Sequence, residues 1–179
     1  IACNKYTKLV SELITENKAY TGSIKLGAST KSYDRETPEE SYADISHLTI
    51  NQIEELIQKF QGKIEQIPPL HSAKRIDGKR AYKYARNNSN IELPPQIVEI
   101  YDFKITNIEM PFIHFYIKVS KGFYIRSFAR DVGYSLGIPS YLYGLRRVSI
   151  GGYHINDALT IKDFTTNFKN FIENQLITN

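Results

Sequence analysis

The sequence contains one cysteine, Cys3, one methionine and no tryptophan. A lone thiol closes no internal disulfide, and without a CxxC pair there is no zinc framework. A reducing, cytoplasmic setting with no metal is therefore expected. No apolar run approaches the length of a membrane span, so no membrane partner is expected. The opening Ile1-Ala2-Cys3-Asn4-Lys5 lacks the basic-then-apolar order of a secretory signal. It also does not open on methionine, which suggests that the protein starts further upstream. Neither GxxxxGK[ST] nor a GxGxxG after a strand is present, which argues against a P-loop nucleotidase and a dinucleotide fold. His47, His71, His114 and His154 have no ligand-like spacing, and nothing reads as a Ser-His-Asp arrangement. An enzyme built from these residues would most simply need no cofactor.

What is present is ordinary in bulk and unusual in detail. The 179 residues are about one domain's worth, with 41% hydrophobic and 23% charged residues. The net charge of +4 and pI near 9.0 weakly favour an acidic partner such as nucleic acid. Thirteen tyrosines and nine phenylalanines suit either a strand-rich fold or surfaces that stack on bases.

Along the chain, Leu9, Val10, Leu13 and Ile14 predict an amphipathic helix over 6–15. Tyr20, Gly22, Ile24 and Leu26 alternate with polar residues and predict a half-buried strand. Residues 27–47 read as a long polar loop. Thr49 and Gln52 form a capping box ahead of the helical face Ile50, Ile53, Leu56, Ile57 and Phe60, which Gly62 ends. Ile67-Pro68-Pro69-Leu70 must be extended. Residues 67–95, with a hairpin signal at Asp77-Gly78, are rich in charge and poor in core residues, and read as a protruding insertion. Residues 97–108 and the alternating Ile113, Phe115, Ile117 and Val119 predict two strands, with His114 on the solvated side. After Gly122 comes a helix with Ile125, Phe128, Ala129 and Val132 inward, stopped by Gly137. A short strand over 145–150 and a terminal helix capped by Thr160 complete the pattern.

Three strings stand out in order. The first is Lys18-Ala19-Tyr20 running into Leu26-Gly27, Thr30 and Asp34. The second is Gln66-Ile67-Pro68-Pro69-Leu70-His71-Ser72-Ala73 with Gly78 and Tyr82-Lys83-Tyr84-Ala85-Arg86. The third runs from Ser120-Lys121-Gly122-Phe123-Tyr124-Ile125-Arg126 to Asp131, with Leu145-Arg146-Arg147 downstream. Together they resemble the TruB family of tRNA pseudouridine synthases over roughly 1–160. The resemblance implies an α+β fold: a mixed, largely antiparallel sheet flanked by helices, with a protruding RNA-binding insertion. It divides the chain into a catalytic domain over 1–160, N-terminally incomplete, with the insertion at about 67–95. A short helical tail over 161–179 leaves no room for a separate RNA-binding domain.

The resemblance further implies isomerisation of uridine to pseudouridine at position 55 in the T-loop of tRNA. The base is flipped out, the glycosidic bond is cleaved with an aspartate, and the uracil rejoins through carbon 5. The partner is the tRNA T-arm, there is no cofactor, and the protein is expected to be a monomer. Arg126 is expected to pair with the catalytic aspartate, because a carboxylate in a partly dry pocket stays ionised only beside a positive charge, and arginine does not titrate. Tyr20 is expected to stack on the flipped uracil, an interaction worth about 1–3 kcal/mol. Without the family match, each residue has a plain reading, a surface ion pair for Arg126 and a core aromatic for Tyr20. Leu145 would line the uracil pocket, while Tyr124, Lys121 and Asp34 complete the substrate-binding set. The family's Thr-Asp-Thr run is replaced here by Thr30-Lys31-Ser32, which puts the hydrogen-bond network of that loop in question. Lys74, Arg75, Lys79, Arg80, Tyr82, Lys83 and Arg86 form the expected RNA-gripping set, where cations position phosphates and rings stack on bases.

The family's nucleophilic aspartate belongs to a G-x-L-D-P-x-A-x-G motif upstream of the Tyr20 strand, and no such motif occurs in these residues. The chain is therefore expected to be inactive alone. Neither Asp34 nor Asp131 replaces the nucleophile, since neither precedes a proline in a glycine-flanked turn. A non-catalytic RNA-binding or tRNA-folding module is the alternative, and a basic scaffold without any RNA role is a third reading.

Overall fold

The computed structural model describes residues 4–70, 72, 75–76, 79–80 and 93–177. In chain order the elements are α1 (Leu9–Thr15), β1 (Lys18–Leu26), β2 (Ser29–Thr30), β3 (Glu39–Glu40), α2 (Ile50–Ile57), β4 (Gly62–Gln66), β5 (Arg75–Ile76), β6 (Lys79–Arg80), β7 (Gln96–Glu109), β8 (Phe112–Val119), α3 (Ile125–Leu136), β9 (Ser140–Ile150), β10 (Tyr153–His154) and α4 (Ile161–Ile177). Six strands form one sheet in the order β10-β9-β1-β8-β7-β4. Every pairing between these strands is antiparallel, so the sheet is antiparallel throughout where a mixed, largely antiparallel one was expected, within the expected α+β fold.

One face of this sheet is apolar because the strand residues alternate. Ile24 and Leu26 on β1, Ile113, Phe115, Ile117 and Val119 on β8, and Ile100 on β7 are all buried. Helix α3 covers them with Ile125, Phe128, Ala129 and Val132. Phe128 is the centre: the rings of Phe103 and Phe60 meet it nearly edge-on at 5.0 and 5.4 Å, with Phe123 tilted at 5.8 Å. Helix α3 ends at Gly137 in the left-handed conformation, φ 72°. It lies close to the start of β9 because Gly133 has no side chain. A Cβ there would sit 2.1 Å from Ser140 Oγ, whose hydroxyl donates to the Ala129 carbonyl at 2.6 Å.

Helix α2 starts on the expected capping box. The Thr49 N–H donates to Gln52 Oε1 at 2.9 Å, and the Gln52 N–H donates to Thr49 Oγ1 at 3.3 Å. Ile53 is its fully buried contact with the core. Thr160 caps α4 in the same way, accepting from the Asp163 N–H at 3.1 Å.

Several expectations need correction. Strand β4 was not anticipated: its five residues alternate too briefly to signal a strand beside the preceding helix. Strand β9 begins at Ser140, five residues before the predicted start. Residues 27–47 are not a plain loop. Ser29 and Thr30 pair with Glu40 and Glu39, and Asp34 bridges to Leu142. The region over 67–95 is charged, yet its two ends are sunk in the body, with Gln66, Pro68, Pro69 and Leu93 buried. Helix α1 is amphipathic but buries none of its residues, leaving Val10 and Ile14 exposed. His114, expected in solvent, is half-buried.

Candidate active site

Arg126 lies in the first turn of α3, and the fold holds that turn from several directions. Gly122, at φ 80°, lets the chain turn from β8 into the helix. Gln66, fully buried at the end of β4, uses its side-chain amide as a short strand. Its Oε1 accepts from the Tyr124 N–H at 2.8 Å, and its Nε2 donates to the Tyr124 carbonyl at 3.2 Å. The hydroxyl of Ser127 donates to the Ile67 carbonyl at 2.7 Å. Both ends of that backbone step are thereby satisfied, as burial demands.

From this turn, Arg126 Nη1 reaches Asp34 Oδ2 at 3.0 Å, with about three quarters of the arginine side chain withdrawn from solvent. Asp34 is itself held in place. Its Oδ1 accepts from Ser32 Oγ at 2.6 Å and from the Glu36 N–H at 2.9 Å. The Thr30 hydroxyl donates to the Asp34 carbonyl at 2.6 Å, and buried Ser32 Oγ lies 2.9 Å from Thr37 Oγ1. The network in question therefore exists: Thr30 and Ser32 supply the hydroxyls, and Lys31 is exposed. The arginine expected to meet an upstream aspartate is paired in this structure with Asp34, a residue assigned from sequence to substrate binding.

Tyr20 sits mid-strand in β1, opposite Ile117 and Arg147, and its ring packs against the core cluster that contains Phe128. It therefore projects from the sheet face that α3 covers. Burial pushes its phenol pKa above the ordinary tyrosine value, and the charge and hydrogen bond of Arg147 pull partly against that rise. Arg147 is a site residue that the sequence reading left out. Its strand position, two residues after Leu145, puts both on the face of Tyr20. Leu145 lies opposite Gly22 and is 47% exposed, an apolar side chain open to solvent. Gly22 is required there, since a Cβ would come within 2.7 Å of the Phe115 ring and 2.6 Å of the Gly144 carbonyl.

Tyr124 is half-buried immediately before α3, and Lys121 is exposed in the turn that precedes it. Arg75, Lys79 and Arg80 fall on the paired strands β5 and β6, but their side chains are outside the described set. Lys74, Tyr82, Lys83 and Arg86 lie outside the described residues altogether. Among the described residues no helix is long and apolar enough to cross a membrane.

An open groove of about 360 Å³ is lined by Thr21, Thr106, His114, Leu145 and Arg146, among others. It reaches neither Tyr20 nor Arg126. Thr21, His114 and Arg146 alternate with or pair out of register with the Tyr20 side, so they project from the opposite sheet face. The groove is lined mainly from the back of the sheet, and Leu145 borders it although its pairing with Gly22 places it on the front.

The described residues thus place a phenol ring and a leucine on the front of the sheet, and an arginine–carboxylate pair between α3 and the 27–47 segment. A cation braced in this way is preorganised to face a further negative charge.

This architecture has solved counterparts. The chain overlays a protein in the "Crystal Structure of a Cbf5-Nop10-Gar1 Complex" with a TM-score of 0.71 at 23% identity, over 96% of this chain and 42% of that one. A second match, the "Structure of H/ACA RNP bound to a substrate RNA containing 2'-deoxyuridine", gives a TM-score of 0.66 at 19% identity, over 96% and 40%. These define the fold class. The family follows from sequence: residues 1–125 match the model of the TruB family pseudouridylate synthase, N-terminal domain. The tRNA pseudouridine synthase B of Chloroherpeton thalassium is 44% identical over 164 residues, covering 91% of this chain and 68% of that protein. Its counterpart in Chlorobaculum tepidum is 43% identical over 162 residues, covering 90% and 68%. The chain belongs to the TruB family of pseudouridylate synthases.

Proposed function

We propose that the protein isomerises uridine to pseudouridine in tRNA, with uridine 55 of the T-loop as the target. In this reading the target nucleotide leaves its stack, at a cost of a few kcal/mol, and its uracil lies against the Tyr20 ring with Leu145 alongside. Arg126 supplies a permanent positive charge beside the reacting carboxylate. Asp34 anchors that arginine, and its loop hydroxyls keep the anchor from moving. The buried phenol of Tyr20 is neutral at physiological pH, so its hydroxyl can position a proton as it leaves carbon 5. The tRNA-gripping cations and rings belong to the segment 67–95, and exposed Lys121, in the turn before α3, adds a further cation.

The observation that carries this reading is the well-supported Arg126–Asp34 pair, held between α3 and the loop that bridges to β9, with α3 packed on the sheet face from which Tyr20 projects. A cation braced by one carboxylate and fixed at a helix start is preorganised for charge that develops during reaction. The nucleophile is not among these 179 residues in its usual motif setting, so this stretch alone is expected to form no pseudouridine.

The test uses the gene's complete product and tritium release from uridine-labelled tRNA. Arg126→Ala should lower turnover by at least about 1,000-fold, while tRNA affinity changes less than about threefold. Ordinary turnover in that variant would remove Arg126 from the reaction. A non-catalytic RNA chaperone would release no tritium in any form.

A further inference from the structure

One helical turn beyond Arg126 lies a second arginine that the reaction as described does not use. Arg130 has a side chain only 11% exposed and is held on several sides. Its Nε and Nη2 meet the Asp131 carboxylate at 2.8 and 2.7 Å. Nη2 also donates to the Ile67 carbonyl at 3.3 Å. Its guanidinium carbon lies 4.9 Å from the centre of the Tyr33 ring.

Tyr33 is the residue before Asp34, and its backbone is in the left-handed region at φ 60°. A bulky side chain rarely adopts that conformation unless its surroundings impose it. Here they do so from two sides. The Tyr33 carbonyl accepts from the Leu142 N–H at 3.0 Å, and Arg130 holds the ring. The left-handed step is what brings Asp34 round to face α3. Because Arg126 and Arg130 are four residues apart, they share one helix face. They grip consecutive loop residues, Arg126 the carboxylate and Arg130 the ring before it.

We propose that Arg130 is a positioning residue: it locks Tyr33 in its left-handed conformation, so that Asp34 stays in line with Arg126. Through the Ile67 carbonyl it ties that alignment to the root of the insertion. The catalytic consequence rests on the function proposed above, whereas the mechanical consequence does not.

Two measurements on the gene's complete product separate these. The first needs no RNA. In Arg130→Ala, hydrogen exchange at the Glu36 and Leu142 amides should accelerate about tenfold or more, while amides of β1 and β8 keep their protection. Tyr33→Gly, which tolerates the same backbone conformation without the ring and leaves Asp131 paired, should loosen the Glu36 amide likewise. Unchanged Glu36 exchange in both variants, or faster exchange spread over the whole sheet, overturns the proposal. The second is kinetic. Arg130→Ala should lower kcat about 10- to 100-fold with KM for tRNA within about threefold. Arg130→Lys should not rescue it, since an ammonium has neither the plane nor the fork. Arg130→Ala combined with Asp34→Asn should be no slower than Asp34→Asn alone, because both act through one carboxylate. Multiplying losses, or a rise in KM at constant kcat, would overturn the positioning role. If the unaltered protein forms no pseudouridine, the enzymatic reading fails, and the exchange data still judge the clamp.

Discussion

The two faces of the six-stranded sheet are made by the same strands and have opposite fates. The front face carries Ile24, Phe115 and Ile117, lies under α3, and extends into the Tyr20–Arg147–Leu145 surface. The back face carries Thr21, His114, Tyr116, Lys118 and Arg146, and no described helix covers it. The difference shows where the protein spends its order. Aromatic packing on the front centres on Phe128 beneath α3, while the back is mostly polar, with an aromatic group of Phe112, Tyr141 and Tyr143 at the Lys25 end of β1. A site that must hold a cation and a carboxylate in fixed relation needs the first kind of support.

The sharpest way to break this contrast is to hollow the front. Phe128→Ala removes the ring that four others surround and should cost about 3–5 kcal/mol of folding stability, read from denaturant unfolding. A loss under about 1 kcal/mol would mean that the front is not the organising core. A middling effect is expected where the front meets solvent. Burial raises the Tyr20 phenol and Arg147 pulls it down, so Arg147→Ala should move its titration further up. Ultraviolet absorbance titration, with Tyr20→Phe as the subtraction, reads this directly. The sign for stability follows. A phenol whose folded pKa exceeds its unfolded value of about 10 favours folding below that pH, and the benefit is lost as pH rises through the folded pKa. Removing Arg147 should widen that alkaline window. A downward shift would mean that Arg147 does not contact the phenol. The smallest effect belongs to the back. Lys118→Ala, on an exposed side chain facing away from the core, should change stability by less than about 0.5 kcal/mol.

Much of the front was legible in the sequence because its periodicity is strong. The inward set of α3 is bounded by Gly122 and Gly137, and the alternation in β8 is uninterrupted. Arg126, Tyr20, Leu145 and Asp34 were legible through their resemblance to a known family, since their spacing alone is equally compatible with core and surface roles. What escaped was tertiary. Gln66 opens the second motif string, but its role is silent in the sequence, and only the fold reveals an amide acting as backbone. Arg147 becomes a partner of Tyr20 only once β1 and β9 are paired, across two register shifts. The left-handed Tyr33 carries no sequence signal at all, because glycine or asparagine is the usual occupant. The pairing of β2 with β3 is two residues deep, below what alternation can register.

Gln66 has a consequence beyond its own hydrogen bonds. Together with Ile67 it fastens the chain to α3 on entry to the charged segment, and buried Leu93 fastens it on the way out. The cleft geometry is then insensitive to how many residues are strung between these two moorings. Substitutions or length changes between Leu70 and Leu93 are therefore expected to leave the Arg126–Asp34 pair in place, since its supports lie outside that stretch.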